Sequence, residues 1–327
     1  MSRIGPAKAL DQIITIQRAG VLAIIGGLRT LAIDSLNAHA HLLPAKLMVR
    51  KWCHQALTRI PMLPKEHPLH KIIKSRRTSK VKRYKGLLHH LVRWFKPDAL
   101  KTEKIPTAAR DLTKIGKIPI QISITDSRED SIAEAENAKE EVQIFSDGSV
   151  LEGKVGTAAV LIYKGRHTQT LYYHLGSDEE HMVHEVESVG ILLRLHILSS
   201  RKSKKASAII GVDNQAAIKA FTSDLRNPGH HLTREALCIA SKISKERKKG
   251  GKNKHALTIR WMAGHKGIEG NELADREAKE VAKGRTSDMK LLPCYLRKPI
   301  LTNSSTVKKA HNESLAKEWR EEWRNSK

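Results

Sequence analysis

The stretch Val142–Leu175, VQIFSDGSVLEGKVGTAAVLIYKGRHTQTLYYHL, decides the fold. Val142–Ser146, Thr157–Tyr163 and Thr168–Leu175 each read as a β-strand, with Gly153, Gly156 and Lys164-Gly165 marking the turns between them. Toward the carboxyl terminus the pattern becomes alternating. It predicts a helix from about Glu180 to Leu198, a strand Ala206–Val212 and helices Gln215–Phe221 and Thr233–Lys248, then a strand Leu257–Met262 and a helix Glu272–Ala282. Strands in hairpin spacing followed by strand–helix alternation imply an α/β fold, a five-stranded mixed sheet flanked by helices, over residues 141–284.

Upstream of this block the character differs. Residues 1–70 read as helical, with apolar positions such as Leu10, Ile13, Ile14, Val21 and Ile24 broken at Gly26-Gly27. A second helical run from Thr30 to Ile60 is expected to break at Pro44 and to end before Pro61 and Pro64. Residues 71–140 form a linker, first basic from Lys71 to Lys96 and then acidic from Asp126 to Glu141, with one candidate strand at Ile118–Ile124. The basic part has the chemistry of a phosphate-tracking arm, and its bland alternative is a solvated connector. Residues 285–327 are expected to be a tail carrying a short helix.

The formal charge of +25 predicts a polyanionic partner, nucleic acid first. Residues 141–284 hold 23 Lys+Arg against 17 Asp+Glu, so about +19 of that excess lies in the flanks. The longest apolar stretch, Val21–Leu28, is too short to cross a bilayer, and Met1–Leu10 has no secretory apolar core. A membrane partner is therefore not expected, and the chain reads as soluble and intracellular. Whether it acts in nucleus or cytoplasm does not follow from composition. Cys53, Cys238 and Cys294 are widely spaced and contain no Cys-x-x-Cys pair, which argues against a structural zinc site.

Acidic residues stand where strands end or helices begin. Asp147 closes the first strand in FSDGS, with Gly148 leaving room for a metal or backbone to approach. Asp213 closes AIIGV and precedes Asn214-Gln215. Asp275 lies early in the last helix, after the glycine-punctuated loop GHKGIEG that carries His265. A fourth acid is expected from the helix containing HEVESVG, where Glu185 and Glu187 flank the apolar stripe of Met182, Val186, Val189 and Leu193 on opposite sides. Periodicity does not choose between the two. A single Asp is ordinarily a cap or turn residue; an ordered set of four carboxylates suits hard divalent cations, Mg2+ above all. Two such ions roughly 3.5–4 Å apart can activate water and neutralise a leaving oxygen.

These segments together resemble the type 1 ribonuclease H family. The resemblance rests on Asp147-Gly148-Ser149, the helical Glu185-Val186-Glu187, Asp213-Asn214-Gln215 and the long segment WMAGHKGIEGNELAD ending at Asp275. It implies a ribonuclease H-like fold in which Asp147, Glu187, Asp213 and Asp275 bind two Mg2+, with Mn2+ able to substitute. His265 would assist proton transfer or product release. It further implies that the substrate is an RNA–DNA hybrid, contacted by Gly148, Ser149, Asn214 and Gln215, with strand choice made through 2′-hydroxyl contacts. Glu187 is preferred because Glu185–Gly190 is similar to the family's Glu-Ala-Glu-Leu-x-Gly form. Ser188 stands where that form has Leu, which keeps Glu185 as a second choice.

Residues 1–70, with Ile16–Gly20, Leu42–Pro44 and Lys65–His70, look like the region between polymerase and ribonuclease H in fungal non-LTR retrotransposon polyproteins. No Tyr/Phe-x-Asp-Asp polymerase motif occurs, so the resemblance implies a carboxyl-terminal fragment of such a reverse transcriptase polyprotein. A reverse transcriptase or another retrotransposon product is the implied protein partner. The leading expectation is an endonuclease that hydrolyses the RNA strand of hybrids. The alternative is a catalytically inactive retrotransposon-derived protein that holds nucleic acid through its basic flanks; a transposase or integrase is disfavoured by the pairing of DGS with GHKGIEGNELAD.

Overall fold

A computed structural model describes residues 6–64, 66–70, 86–96, 101–104, 120–178, 180–201, 206–220, 229–249, 257–264 and 267–326. Two compact units are present, one comprising Met1–Leu100 with Ser304–Lys327 and the other Lys101–Asn303.

The first unit is helical, as expected of the amino-terminal residues: α1 (Pro6–Ile25), α2 (Ile33–His39), α3 (Ala45–Met62) and α4 (Leu87–Phe95), joined by the carboxyl-terminal helix Ser304–Asn325. Pro44 occupies the N-cap of α3, where a missing N–H costs nothing. Pro61 is held inside the last turn of α3 rather than stopping it, a correction to the expected end. Leu57, Leu91 and Val92 form a small core between α3 and α4. Arg50 of α3 grips Glu318 through Nη1, at 2.6 and 2.8 Å from the two carboxylate oxygens. At 22 residues the terminal helix is long.

The second unit is built on one sheet. Its elements are β1 (Ile120–Ser123), α5 (Arg128–Glu136), β2 (Val142–Leu151), β3 (Lys154–Tyr163), β4 (Arg166–Ser177), α6 (Val183–Ser200), β5 (Ala208–Val212), α7 (Gln215–Ala220), α8 (His230–Lys249), β6 (Leu257–Trp261) and α9 (Glu269–Ala282). The strand order is β1-β6-β5-β2-β3-β4. β2, β3 and β4 form an antiparallel meander, whereas β2–β5, β5–β6 and β6–β1 pair in parallel. Both meander turns have two residues with positive φ, Glu152-Gly153 (51° and 74°) and Lys164-Gly165 (49° and 73°), the backbone that matches the natural strand twist.

The sheet has six strands where five were expected. The sixth is β1, within the candidate strand at 118–124, and it pairs along β6 from Ile120↔Leu257 to Ser123↔Arg260. Helix α5 then follows, capped by the Ser127 side chain on Asp130 N at 3.0 Å. Ser131 of α5 ties this segment to the end of β6: its hydroxyl donates to Trp261 O (3.2 Å) and accepts from Ala263 N (2.9 Å).

Strand alternation sorts the core. Ile144, Leu161, Ile210 and Ile259 enter the larger cluster with Val189, Leu192 and Leu193 of α6 and Leu232, Ala236 and Ala240 of α8. Phe145, Val160 and Ile209, one residue out of phase, face the opposite side with Ala274 of α9. Small residues at helical spacing, Ala274 and Ala278, let α9 lie close to that face. Both faces of the sheet are thus covered. Among the described residues no helix is long and apolar enough to cross a membrane.

Candidate active site

The parallel ladder between β2 and β5 stops at the pair Ile144↔Ile210. Asp213 stands one residue past the end of β5, whereas Asp147, expected to close its strand, lies inside β2, still paired with Ala158 of β3; both are three residues beyond the last pair of the β2–β5 ladder. The open carboxyl end of adjacent parallel strands is where a sheet collects ligand-binding side chains.

Each acid is held by its surroundings. The Asp147 carbonyl accepts from the buried Thr157 hydroxyl at 2.7 Å, and its Oδ1 accepts from Gly148 N at 2.7 Å. The indole Nε1 of Trp261 donates to the Asp213 carbonyl at 2.8 Å, fixing the backbone on which that carboxylate stands. Asn214 caps α7 by accepting from Ala216 N (2.9 Å) and Ala217 N (3.2 Å), and Gln215 is half-buried beside it.

Glu187 arrives from the α6 side. A side chain at residue 148 would come within 2.4 Å of Val186 Cγ1, and one at residue 190 within 2.4 Å of Ser146 Oγ. Glycines at these two points let α6 press against β2, which carries Glu187 to the edge where Asp147 and Asp213 stand. Asp147 shares strand phase with Phe145 and so faces α9, where Asp275 is half-buried in the first turns. Lys279, one turn on, bonds Asp275 Oδ2 at 2.7 Å, and its ammonium is held protonated above the usual lysine range by that carboxylate and, more weakly, by Asp147.

Glu187, Asp213 and Asp147 therefore feel one another where β2 parts from β5, while Asp275 stands on α9, where its partner Lys279 also feels Asp147. Burial pushes the Glu187 carboxyl up to about 7, Asp213 and Asp147 push the same way, and Arg194 opposes them. Among the described residues, Glu187 Oε2 and Asp213 Oδ1 are buried with no hydrogen-bond partner. Glu185 points elsewhere. Its carboxylate is fully buried, accepts from Met182 N at 2.8 Å at the start of α6 and lies 3.7 Å from His181 Nδ1.

The donor set fits a hard divalent cation. Buried like charges with orphaned oxygens and a carboxyl pushed toward neutrality are what such an ion would relieve. Among the described residues no group of three or more His, Cys, Asp or Glu side chains stands as a ready-made metal cage. His265 lies outside the described residues. Gly148 and Ser149 are half-buried on β2 next to Asp147.

Sequence reasoning left three contributors without a role. Thr157 and Trp261 act through hydrogen bonds to the backbone of the acids, which spacing does not reveal. Arg194 interrupts the apolar run Ile191–Leu195, and that interruption was its only signal.

The family model for RNase H matches residues 139–283. No curated protein matches the sequence. Among solved structures, the chain is similar to an RNase H1 isolated from compost by a metagenomic approach (16% identity, 44% of this chain and 96% of that one, TM-score 0.33). It is also similar to RNase H1 from the halophilic archaeon Halobacterium salinarum (14% identity, 43% and 98%, TM-score 0.30). A third is the protease–reverse transcriptase of prototype foamy virus (16% identity, 44% and 21%, TM-score 0.31). The family match runs from just before β2 to the end of α9, across most of the mixed sheet and the helices on its two faces.

Proposed function

We propose that this domain is an endoribonuclease that hydrolyses the RNA strand of RNA–DNA hybrids, with Asp147, Glu187, Asp213 and Asp275 holding two Mg2+. The observation that supports the reading is the mutual influence of Glu187, Asp213 and Asp147 where β2 parts from β5, with Glu187 Oε2 and Asp213 Oδ1 buried and lacking a hydrogen-bond partner among the described residues. When bound, the ions supply an activated water for in-line attack and neutralise the leaving 3′ oxygen, which gives 5′-phosphate and 3′-hydroxyl ends. Mn2+ is expected to substitute.

The chain's own residues prepare this chemistry. Thr157 and Trp261 fix the main chain at Asp147 and Asp213 so that the carboxylates need not reorganise. Burial and then Asp213 push the Glu187 carboxyl up to about 7, so a cation held there would favour its ionised form. Gly148, Ser149, Asn214 and Gln215 border the acids and are assigned to the hybrid. His265, four residues before the start of α9 in sequence, is assigned to proton transfer or product release. A solved structure of the compost RNase H1 is described as a complex with an RNA/DNA hybrid, the same class of substrate. The chain is further read as a carboxyl-terminal piece of a fungal non-LTR retrotransposon polyprotein, working with its reverse transcriptase or another product of the element.

The test is cleavage of a labelled RNA–DNA hybrid by the full chain in Mg2+. Asp147→Asn and Asp213→Asn should reduce cleavage to background while hybrid binding persists. Cleavage by the wild-type chain that survives complete chelation would sink the two-metal mechanism.

A further inference from the structure

Arg194 is the largest fully buried side chain among the described residues, in the middle of α6 among Leu192, Leu193, Leu195 and Ile197. It stands two turns from Glu187, on the same side of the helix. Its Nη1 donates to the carbonyl of Gly211, two residues before Asp213 on β5. Nε and Nη2 have no hydrogen-bond partner among the described residues. A guanidinium closed off from water with one hydrogen bond is costly unless charge compensates it, and an aliphatic side chain would serve the packing of α6 better. The compensation lies at the site. Burial lowers the guanidinium to about 10, while Glu187, Asp213 and Asp147 all pull it upward, so it stays charged at neutral pH.

We propose that Arg194 is a positioning residue for this site: a permanent internal counter-charge, anchored on Gly211 between α6 and the end of β5, that holds Glu187, Asp213 and Asp147 together before any metal binds. The inference deepens the proposed reading of the site and rests on it. It gives the cluster a cation of its own. Mg2+ then enters a site already partly neutralised, and removing Arg194 leaves a more anionic cluster that gains more from Mg2+.

The experiment is thermal unfolding of the full chain in chelator at pH 8.5, in a cycle of wild type, Arg194→Met, Glu187→Gln and the double variant. Met keeps most of the length and removes the charge. The loss in Tm caused by R194M should be at least about twice as large with Glu187 present as with Gln at 187, because one of the repelling charges is then gone. Equal losses in both backgrounds would make Arg194 a strut on Gly211 and overturn the proposal. If R194M does not fold in chelator, the double variant should fold; failure of both counts against the counter-charge. Arg194→Lys, which keeps the charge, should recover most of the loss, and a Lys variant as damaged as Met also refutes the idea. With the wild type folded, adding 10 mM MgCl2, roughly a saturating dose for a weak site, should raise the Tm of R194M more than that of wild type. A smaller or equal rise overturns the proposal. Hybrid cleavage by the wild type is measured in parallel: its absence, with the charge cycle as expected, defeats the nuclease reading and leaves the counter-charge standing.

Discussion

Replacing Glu187 by Gln should stabilise the metal-free protein, and only at the higher pH values. The carboxyl is raised from 4.5 to about 7 in the folded chain, first by burial and then by Asp213. Between those values the folded protein holds a proton that the unfolded chain has released, so stability falls as pH rises. At about 1.36 kcal/mol per unit the deficit approaches about 3 kcal/mol above pH 7, and it vanishes below pH 4.5. Gln carries no such proton. Burying its amide adds a cost that does not vary with pH, so the difference between variant and wild type is the quantity to follow. Urea unfolding of both proteins in chelator at pH 4.5, 6, 7 and 8.5 should show that difference moving in favour of E187Q by about 3 kcal/mol across the series. Mg2+ at pH 8.5 should shrink it, because only the wild type gains a cation at that carboxylate. A difference that stays flat with pH would refute the reasoning that Glu187 is buried against like charges.

Other expectations concern the scaffold. Ser131→Ala removes a buried hydroxyl that bridges Trp261 O and Ala263 N, and should cost about 1–3 kcal/mol in urea unfolding; unchanged stability would mean α5 is not anchored there. Gly270→Ala would put a methyl carbon 2.2 Å from the Phe145 ring and should destabilise the domain by about 1–3 kcal/mol, read as a lower Tm. His231 is held neutral, down to about 4, by burial and then by His230, so the unfolded chain takes up its proton first as pH falls below 6.5. Stability should decline by about 3 kcal/mol from pH 6.5 to 4 on this account, and His231→Gln should flatten that decline in denaturation midpoints.

Much of the sheet was legible because its strands alternate and its turns carry glycine: Ile144 and Phe145 face opposite cores as period two requires. Asp213 was legible as a strand-ending carboxylate; Asp147 was read the same way but lies inside β2, which runs on to Leu151 because β3 keeps pairing with it. Glu185 and Glu187 were not separable on a helical wheel, since both flank the same stripe. Their fates are decided by Met182 N and His181 on one side and by Asp213 and Asp147 on the other, none of which periodicity encodes. The joining of β1 was equally hidden. Four residues, Ile120–Ser123, carry too little pattern to name a partner, and their partner strand begins only at Leu257. Arg194 looked like an isolated basic residue because its depth is set by β5, not by its own helix.

That late partner has a consequence for how the chain folds. β1 lies along the outer side of β6, in parallel, with well over a hundred residues between the paired positions. During synthesis, residues 120–123 leave the ribosome long before the strand they pair with exists, so the edge of the sheet closes as one of the last events. Until then the β2–β3–β4 meander, whose contacts are local, can form by itself, while β5 and β6 expose backbone to any extended segment nearby. Slow closure of that edge is therefore the stage at which this chain is most open to pairing with another copy, and stabilising β1 should raise the yield of soluble protein more than it raises the melting temperature.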